Sequence, residues 1–285
     1  MSVHLPLYDK ASSLRADGSR NFVHPADVHG RFDVRRKLAF TGLIALLALL
    51  PWIQVGGHPA VFLDFVHRSF YLLGATFNAQ DTWLVFFLLT GVGFLLIVST
   101  ALWGRVWCGY ACPQTVFLEG LFRPIERAIE GPRAERMRRN AGPMSFDKLW
   151  RKLLKHAIFV LLAFLVAHVI VSYFVSLPAL YHMVLHAPAE HPEAFAWAIA
   201  LTAGLYFNFF WFREQMCLII CPYGRLQSVL SDSDTLVIGY DAHRGEPRGK
   251  AHGKIKEAGR GDCVDCNRCV VVCPTGIDIR NGLQL

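Results

Sequence analysis

The stretch Trp83–Trp103, WLVFFLLTGVGFLLIVSTALW, runs 21 residues without a charge. As a helix it rises about 32 Å, close to the thickness of a bilayer's hydrocarbon core. It predicts a membrane-spanning helix, and the composition agrees. Of 285 residues, 53% are hydrophobic and only 18% charged, more apolar than an ordinary soluble domain. Three further runs predict spans: Leu38–Ile53, Ala157–Leu180 (interrupted only by His168) and Ala194–Phe212. Trp52, Trp83, Trp103, Trp197 and Trp211 lie at or near span ends, as an interfacial belt places them. A fifth apolar stretch, Ala60–Phe77, carries Asp64, His67 and Arg68, and predicts an interfacial or re-entrant segment.

Charge sets the expected orientation. Of 29 lysines and arginines, 28 fall in the N-terminal tail, the loop from Gly104 to His156 and the segment after Phe212; Arg68 is the exception. Positive residues stay inside, so the termini of this chain are expected in the cytoplasm, with all cysteines facing or bordering it. The formal net charge of +7 follows from this topology. No nucleic-acid recognition motif accompanies it. The tail to Lys37 has no early apolar run of the kind a secretory signal needs.

All eight cysteines form three clusters ending in Cys-Pro. Near the C-terminus stands Cys263-x2-Cys266-x2-Cys269-x3-Cys273-Pro274, the ligand run of a ferredoxin-type [4Fe–4S] cluster. Zinc sites instead use two separated cysteine pairs. In a reducing cytoplasm, metal binding is favoured over disulfides. The other clusters are twins, Cys108-x3-Cys112-Pro113 and Cys217-x3-Cys221-Pro222, each beginning five residues past a span. The chain thus reads as two repeats of span, loop, span and motif, and parallel repeats place equivalent sites side by side. Two such pairs offer four soft ligands, suited to Cu(I), zinc or an iron–sulfur cluster. Each proline suits the first position of a helix, with the second cysteine at the N-cap, where the helix field favours thiolate. Gln114–Glu130 reads as a helix stopped by Gly131-Pro132.

The predicted fold class is an all-α integral membrane protein of four transmembrane helices with a small cytoplasmic ferredoxin-like 4Fe-4S segment. Its expected domains are a tail (1–37), a membrane domain (38–230), a linker (231–262) and the first half of a ferredoxin-type domain (263–285).

The stretches GRVWCGYACPQTVFLE, CPYGRLQSVL, YDAHRGEPRGK and GDCVDCNRCVVVCPTGIDIRNGLQ resemble the FixG/RdxA/CcoG family of membrane polyferredoxins, from about Phe32 onward. The resemblance implies a multi-pass protein of the bacterial inner membrane that serves as accessory to cbb3-type cytochrome c oxidase. It implies electron transfer through [4Fe–4S] clusters and reduction of Cu(II) to Cu(I). Cys263, Cys266, Cys269 and Cys273 match the family's first ferredoxin motif. Cys108, Cys112, Cys217 and Cys221 match its membrane-proximal pairs, read as a thiolate copper or redox site. The implied partners are the lipid bilayer, the oxidase assembly machinery or a copper chaperone, and an electron donor that the sequence leaves unnamed. Family members continue with a second ferredoxin run, a further span and a periplasmic domain, so this chain is expected to be a truncated member whose cluster lacks one ligand. Two alternatives stand beside copper reduction: a NapH-like quinol dehydrogenase subunit, and a copper-binding assembly factor without turnover.

His168, inside a span, is a candidate haem ligand or quinone contact, with no second histidine at matching depth. His182, Met183, His186 and His191 are candidate copper ligands or simply a solvated loop. The basic run Arg133–Arg139 is expected beside anionic lipid. The linker Ser231–Asp262 is expected as an extended tether, with a short strand at Leu236–Tyr240, and the first 30 residues as disordered.

Overall fold

The computed structural model describes residues 22–65, 67–186, 190–230, 234–249 and 260–281. Its helices are α1 (Arg31–Leu49), α2 (Thr82–Trp103), α3 (Val106–Tyr110), α4 (Pro113–Phe117), α5 (Arg123–Glu130), α6 (Arg133–Ala141), α7 (Phe146–Val171), α8 (Leu177–Leu185), α9 (Pro192–Phe207), α10 (Pro222–Leu230), α11 (Ala242–Gly245) and α12 (Arg268–Val272). A wide π turn, Leu118–Phe122, joins α4 to α5, and Gly131 at φ 85° stops that rod. A second π turn, Asn208–Phe212, extends α9.

Among the described residues, three helical segments are long and apolar enough to cross a membrane: Trp83–Trp103, Phe146–Val171 and Pro192–Phe212. Only 6% of the apolar window of the first and of the last is buried inside the protein, so both leave most of their apolar surface outward, as lipid-facing helices do. The predicted span Leu38–Ile53 is the apolar half of α1 plus the turn Leu50–Trp52 at Pro51. Charged Arg31, Asp33, Arg35, Arg36 and Lys37 fill the other half of α1, which leaves that helix outside the three. The predicted span Ala157–Leu180 is corrected as well. Its helix begins eleven residues earlier, at Phe146, where Ser145 caps Lys148 N–H, and it ends at Val171. Beyond a turn, Pro178 opens the separate helix α8.

Ala60–Phe77 is a β-meander, not a re-entrant segment. Strands β1 (Gln54–Val55) and β2 (His58–Pro59) form a hairpin; β3 (Val61–Asp64), β4 (Ser69–Leu72) and β5 (Ala75–Asn78) form an antiparallel sheet in that order. The register pairs Val61 with Leu72 and Leu72 with Ala75. Two-residue turns at Gly56-Gly57 and Leu73-Gly74, all with positive φ, are the tight hairpin turns that match strand twist. The sheet caps the end of the bundle opposite the cysteine motifs: Leu63 N–H donates to Tyr173 O at 2.8 Å, and Tyr173 OH to Leu47 O at 2.7 Å.

The core lies toward the cysteine end. Phe122 stacks on Phe209 (4.5 Å between ring centroids) and meets Phe159 edge-on (5.0 Å), joining the α4–α5 rod to α7 and α9. Offset-stacked and edge-to-face pairs of this kind add to simple burial.

Candidate metal and redox site

The twin motifs repeat in backbone as well as in sequence. Gly104/Arg213, Cys108/Cys217, Cys112/Cys221 and Pro113/Pro222 are each 109 residues apart. Gly104 ends α2 at φ 57°, ψ −117°; Arg213 ends the π turn after α9 at φ 48°, ψ −118°. Cys112 N–H donates to Trp107 O at 2.9 Å and Cys221 N–H to Met216 O at 2.8 Å, both spanning five residues. Cys112 caps α4 with Pro113 first, and Pro222 opens α10 directly after extended Cys221.

The repeats exchange contacts. Gln114, just after Pro113, donates to Arg213 O at 2.9 Å and accepts from Asn208 Nδ2 at 2.7 Å. Its counterpart Tyr223 hydrogen-bonds Thr100 near the end of α2. Gln227 of α10 donates to Cys108 Sγ at 3.4 Å. The four thiols therefore share one electrostatic neighbourhood. Burial, then Cys112, raise the Cys108 thiol to about 11. Burial, then Cys112, Cys108 and Cys221, raise Cys217 to about 12. The protein alone holds these first cysteines as neutral thiols, so a metal bound here must displace their protons. Among the described residues, no three His, Cys, Asp or Glu side chains converge closely enough to hold a metal ion. As a donor set, four thiols fit a soft metal or an iron–sulfur group.

In the ferredoxin run, Cys269 rides on α12 while Cys263 and Cys266 lie on the loop before it. Asp265 and Asn267 flank Cys266 with positive φ, curling the chain. Arg280 pins that curl by donating to Asp278 (2.6 Å), Asp265 (2.5 Å) and Asn267 (2.5 Å). These bonds hold the Asp278 carboxyl below its ordinary range. Cys273 Sγ lies 3.2 Å from Thr275 Oγ1.

The run is docked on the bundle. Arg123 reaches Pro274 O at 3.1 Å, Glu214 at 3.3 Å and also Glu119. Glu214 stands three residues before Cys217. Ala26 N–H donates to Val271 O at 2.8 Å, Arg133 Nε to His24 O at 2.7 Å, and Arg127 pairs with Asp27 at 3.2 Å. Residues 22–30 are thus an extended, packed segment, correcting the expected disorder there; residues 1–21 lie outside the described residues. The expected tether is largely exposed where described, and a few backbone bonds fasten it. Leu236 N–H donates to Leu102 O at 3.2 Å, and Gly249 N–H to Cys263 O at 3.1 Å. Leu236–Tyr240 forms no strand, and residues 250–259 lie outside the described residues.

Behind the motifs sits an ionic cluster that sequence reasoning missed. Arg213 grips both oxygens of Glu126 at 3.0 Å; Arg136 (3.4 Å) and Lys155 (3.4 Å) add to the same carboxylate, and Lys155 bridges to Glu130 at 2.7 Å. Burial alone would raise Glu126, but Arg213, Lys155 and Arg136 outweigh it and hold the carboxyl at about 2. Arg136, one residue of the basic run Arg133–Arg139, is 3% exposed and turned into this cluster. The signal available was an arginine at a span end and a glutamate on an adjacent helix. Their partnership, 87 residues apart, carries no local mark.

His168 Nδ1 bonds its own helix at Phe164 O, 2.8 Å. His182 and His186 stack at 3.7 Å on and just past α8, with Met183 on that helix and His191 before α9.

Residues 84–132 match the 4Fe-4S binding domain family, and residues 212–285 the 4Fe-4S dicluster domain family. All eight cysteines fall within these two matches. The chain is 40% identical to the nitrogen fixation protein FixG of Rhizobium meliloti, covering 98% of the chain and 53% of that protein. It is 37% identical to protein RdxA of Cereibacter sphaeroides (93% of the chain, 56% of that protein) and 35% identical to protein RdxB of the same organism (97% and 58%). The chain fits the FixG/RdxA family. It spans just over half the length of these curated relatives. No solved structure matches it. Like FixG and RdxA in sequence, and with three helices apolar enough to cross a bilayer, it is a membrane protein with 4Fe-4S-binding regions.

Proposed function

We propose that this chain is the electron-transfer part of a membrane accessory protein for cbb3-type cytochrome c oxidase. In this reading Cys108, Cys112, Cys217 and Cys221 take Cu(II) as substrate and release Cu(I). The observation that supports it most is the exchange of contacts between the twin motifs, which puts the four thiols in one electrostatic neighbourhood at the end where the ferredoxin run docks. A [4Fe–4S] group bound at Cys263, Cys266, Cys269 and Cys273 supplies electrons one at a time. One electron converts one Cu(II) to Cu(I), and soft thiolates favour the reduced ion. The charge pattern supports a cytoplasmic position for both cysteine sites and both ends of this chain. The apolar half of α1 serves as a fourth, short span, assisted by local thinning of the bilayer. The partners in this reading are the oxidase assembly machinery or a copper chaperone. A second reading rests on the 4Fe-4S binding match over residues 84–132: the four thiols hold an iron–sulfur cluster themselves.

Metal and sulfide analysis with electron paramagnetic resonance on anaerobically purified protein separates the two readings. Under the first, Cys108→Ala and Cys217→Ala abolish Cu(I) production and leave the cluster signal intact. A cluster signal lost with either variant installs the second reading. Unchanged Cu(I) production removes the first.

A further inference from the structure

A cavity of about 490 Å³ opens beside the ionic cluster. Phe22, Met137 and Phe210 give it an apolar wall; His24, Lys155 and His156 give it a polar one, with Glu126 and Arg213 behind. Glu130, Asn140 and Lys152 complete the lining, so the cavity joins one apolar wall to a strongly polar one. Its position narrows the ligand. His156 lies on α7 and Phe210 on the π turn after α9, in two of the three apolar helical segments found among the described residues.

The polar groups narrow it further. His156 Nδ1 is 2.8 Å from Tyr206 OH, and its ring meets Phe210 edge-on at 4.5 Å. Its other ring nitrogen remains for a ligand. Across the cavity, His24 Nδ1 is buried with no hydrogen-bond partner, and burial, with Arg136 beside it, favours the neutral ring. A buried ring nitrogen without a partner is costly, and a ligand hydroxyl or carbonyl satisfies it. The cavity also abuts the thiol site, because Arg213 lines it while its carbonyl accepts from Gln114, two residues from Cys112.

We infer that this cavity binds the ring of a membrane quinone or quinol, with His24 and His156 hydrogen-bonding its two oxygens, and that the quinol is the electron donor. This rests on the electron-transfer reading above. The exchange balances as quinol giving quinone, two protons and two electrons. The electrons pass singly to the chain's iron–sulfur groups, and the protons leave through the histidines.

The test titrates the full chain in detergent with ubiquinone-1, before and after iron loading, reading tryptophan quenching. The expected result is saturable binding in both forms. His156→Phe, which keeps a ring against Phe210, and His24→Leu each weaken it about tenfold, as loss of one hydrogen bond does. His168→Phe leaves it unchanged. If His156→Phe does not fold, His24→Leu decides the matter. Non-saturating binding, indifference to both cavity variants, loss with His168→Phe instead, or a phospholipid that quinone does not displace in native mass spectrometry overturns the inference. Saturable binding without any cluster signal after iron loading upholds the site and removes the electron-transfer reading.

Discussion

The two Cys-x3-Cys-Pro repeats trace one backbone with different side chains. Both spans end at a residue with φ near +50° and ψ near −118°. In the first repeat glycine takes this conformation without penalty. In the second Arg213 does, at a cost of order 1–3 kcal/mol for a non-glycine residue. The first repeat needs glycine because a Cβ at residue 104 would lie 3.1 Å from Leu236 O. The second tolerates arginine because its guanidinium is gripped by Glu126 and its carbonyl by Gln114. The same turn is thus held by absence of a side chain in one copy and by a buried ion pair in the other.

The comparison breaks most visibly at Glu126. Glu126→Ala strands Arg213 and Arg136 in a buried site and weakens Lys155, so a loss of about 3–5 kcal/mol in unfolding free energy is expected. Acid probes the same carboxyl. Its folded value, about 2, lies below its ordinary 4.5. Its contribution is therefore full above pH 4.5 and lost as pH falls toward 2. Glu126→Gln should flatten the stability profile across that window, and an unchanged acid limb would show that the carboxyl is not held down. Arg213→Gly should cost less than Glu126→Ala, about 1–3 kcal/mol, because it relieves backbone strain and leaves Glu126 with Lys155 and Arg136. Should it prove the more damaging of the two, strain at Arg213 is not what distinguishes the repeats. Gly104→Ala should cost about 1–2 kcal/mol through the positive φ and the crowded Leu236 carbonyl. Asp147→Ala, which breaks the exposed Arg151 pair at 2.9 Å, should cost less than about 0.5 kcal/mol.

The features that repeat or run continuously were legible in the sequence. Trp83–Trp103 needed only its length and lack of charge. Pro113 announced the start of a helix, with Cys112 at its cap, and Gly131 announced the end of one. The β-meander was missed because Ala60–Phe77 was weighed by hydropathy. The Gly56-Gly57 and Gly74 turns, and the Val61-Phe62-Leu63 and Phe70-Tyr71-Leu72 runs between them, carried the strand signal instead. The end of α7 was overshot because Phe174, Val175 and Leu177 keep the run apolar past the turn. The ionic cluster and the cavity had no sequence signature, because Glu126, Lys155 and Arg213 meet only after three helices pack. The exchange of contacts through Gln114 and Tyr223 was foreshadowed by the repeat spacing, but their partners, Arg213 and Thr100, were not.

The bond from Ala26 to Val271 ties together positions 245 residues apart. On the ribosome, at 5–20 residues per second, about 12–50 s separate their synthesis. The extended segment at residues 22–30 therefore has to wait, undocked, while the helices between are made and inserted. The cysteine-bearing end closes last, over a scaffold already standing in the bilayer.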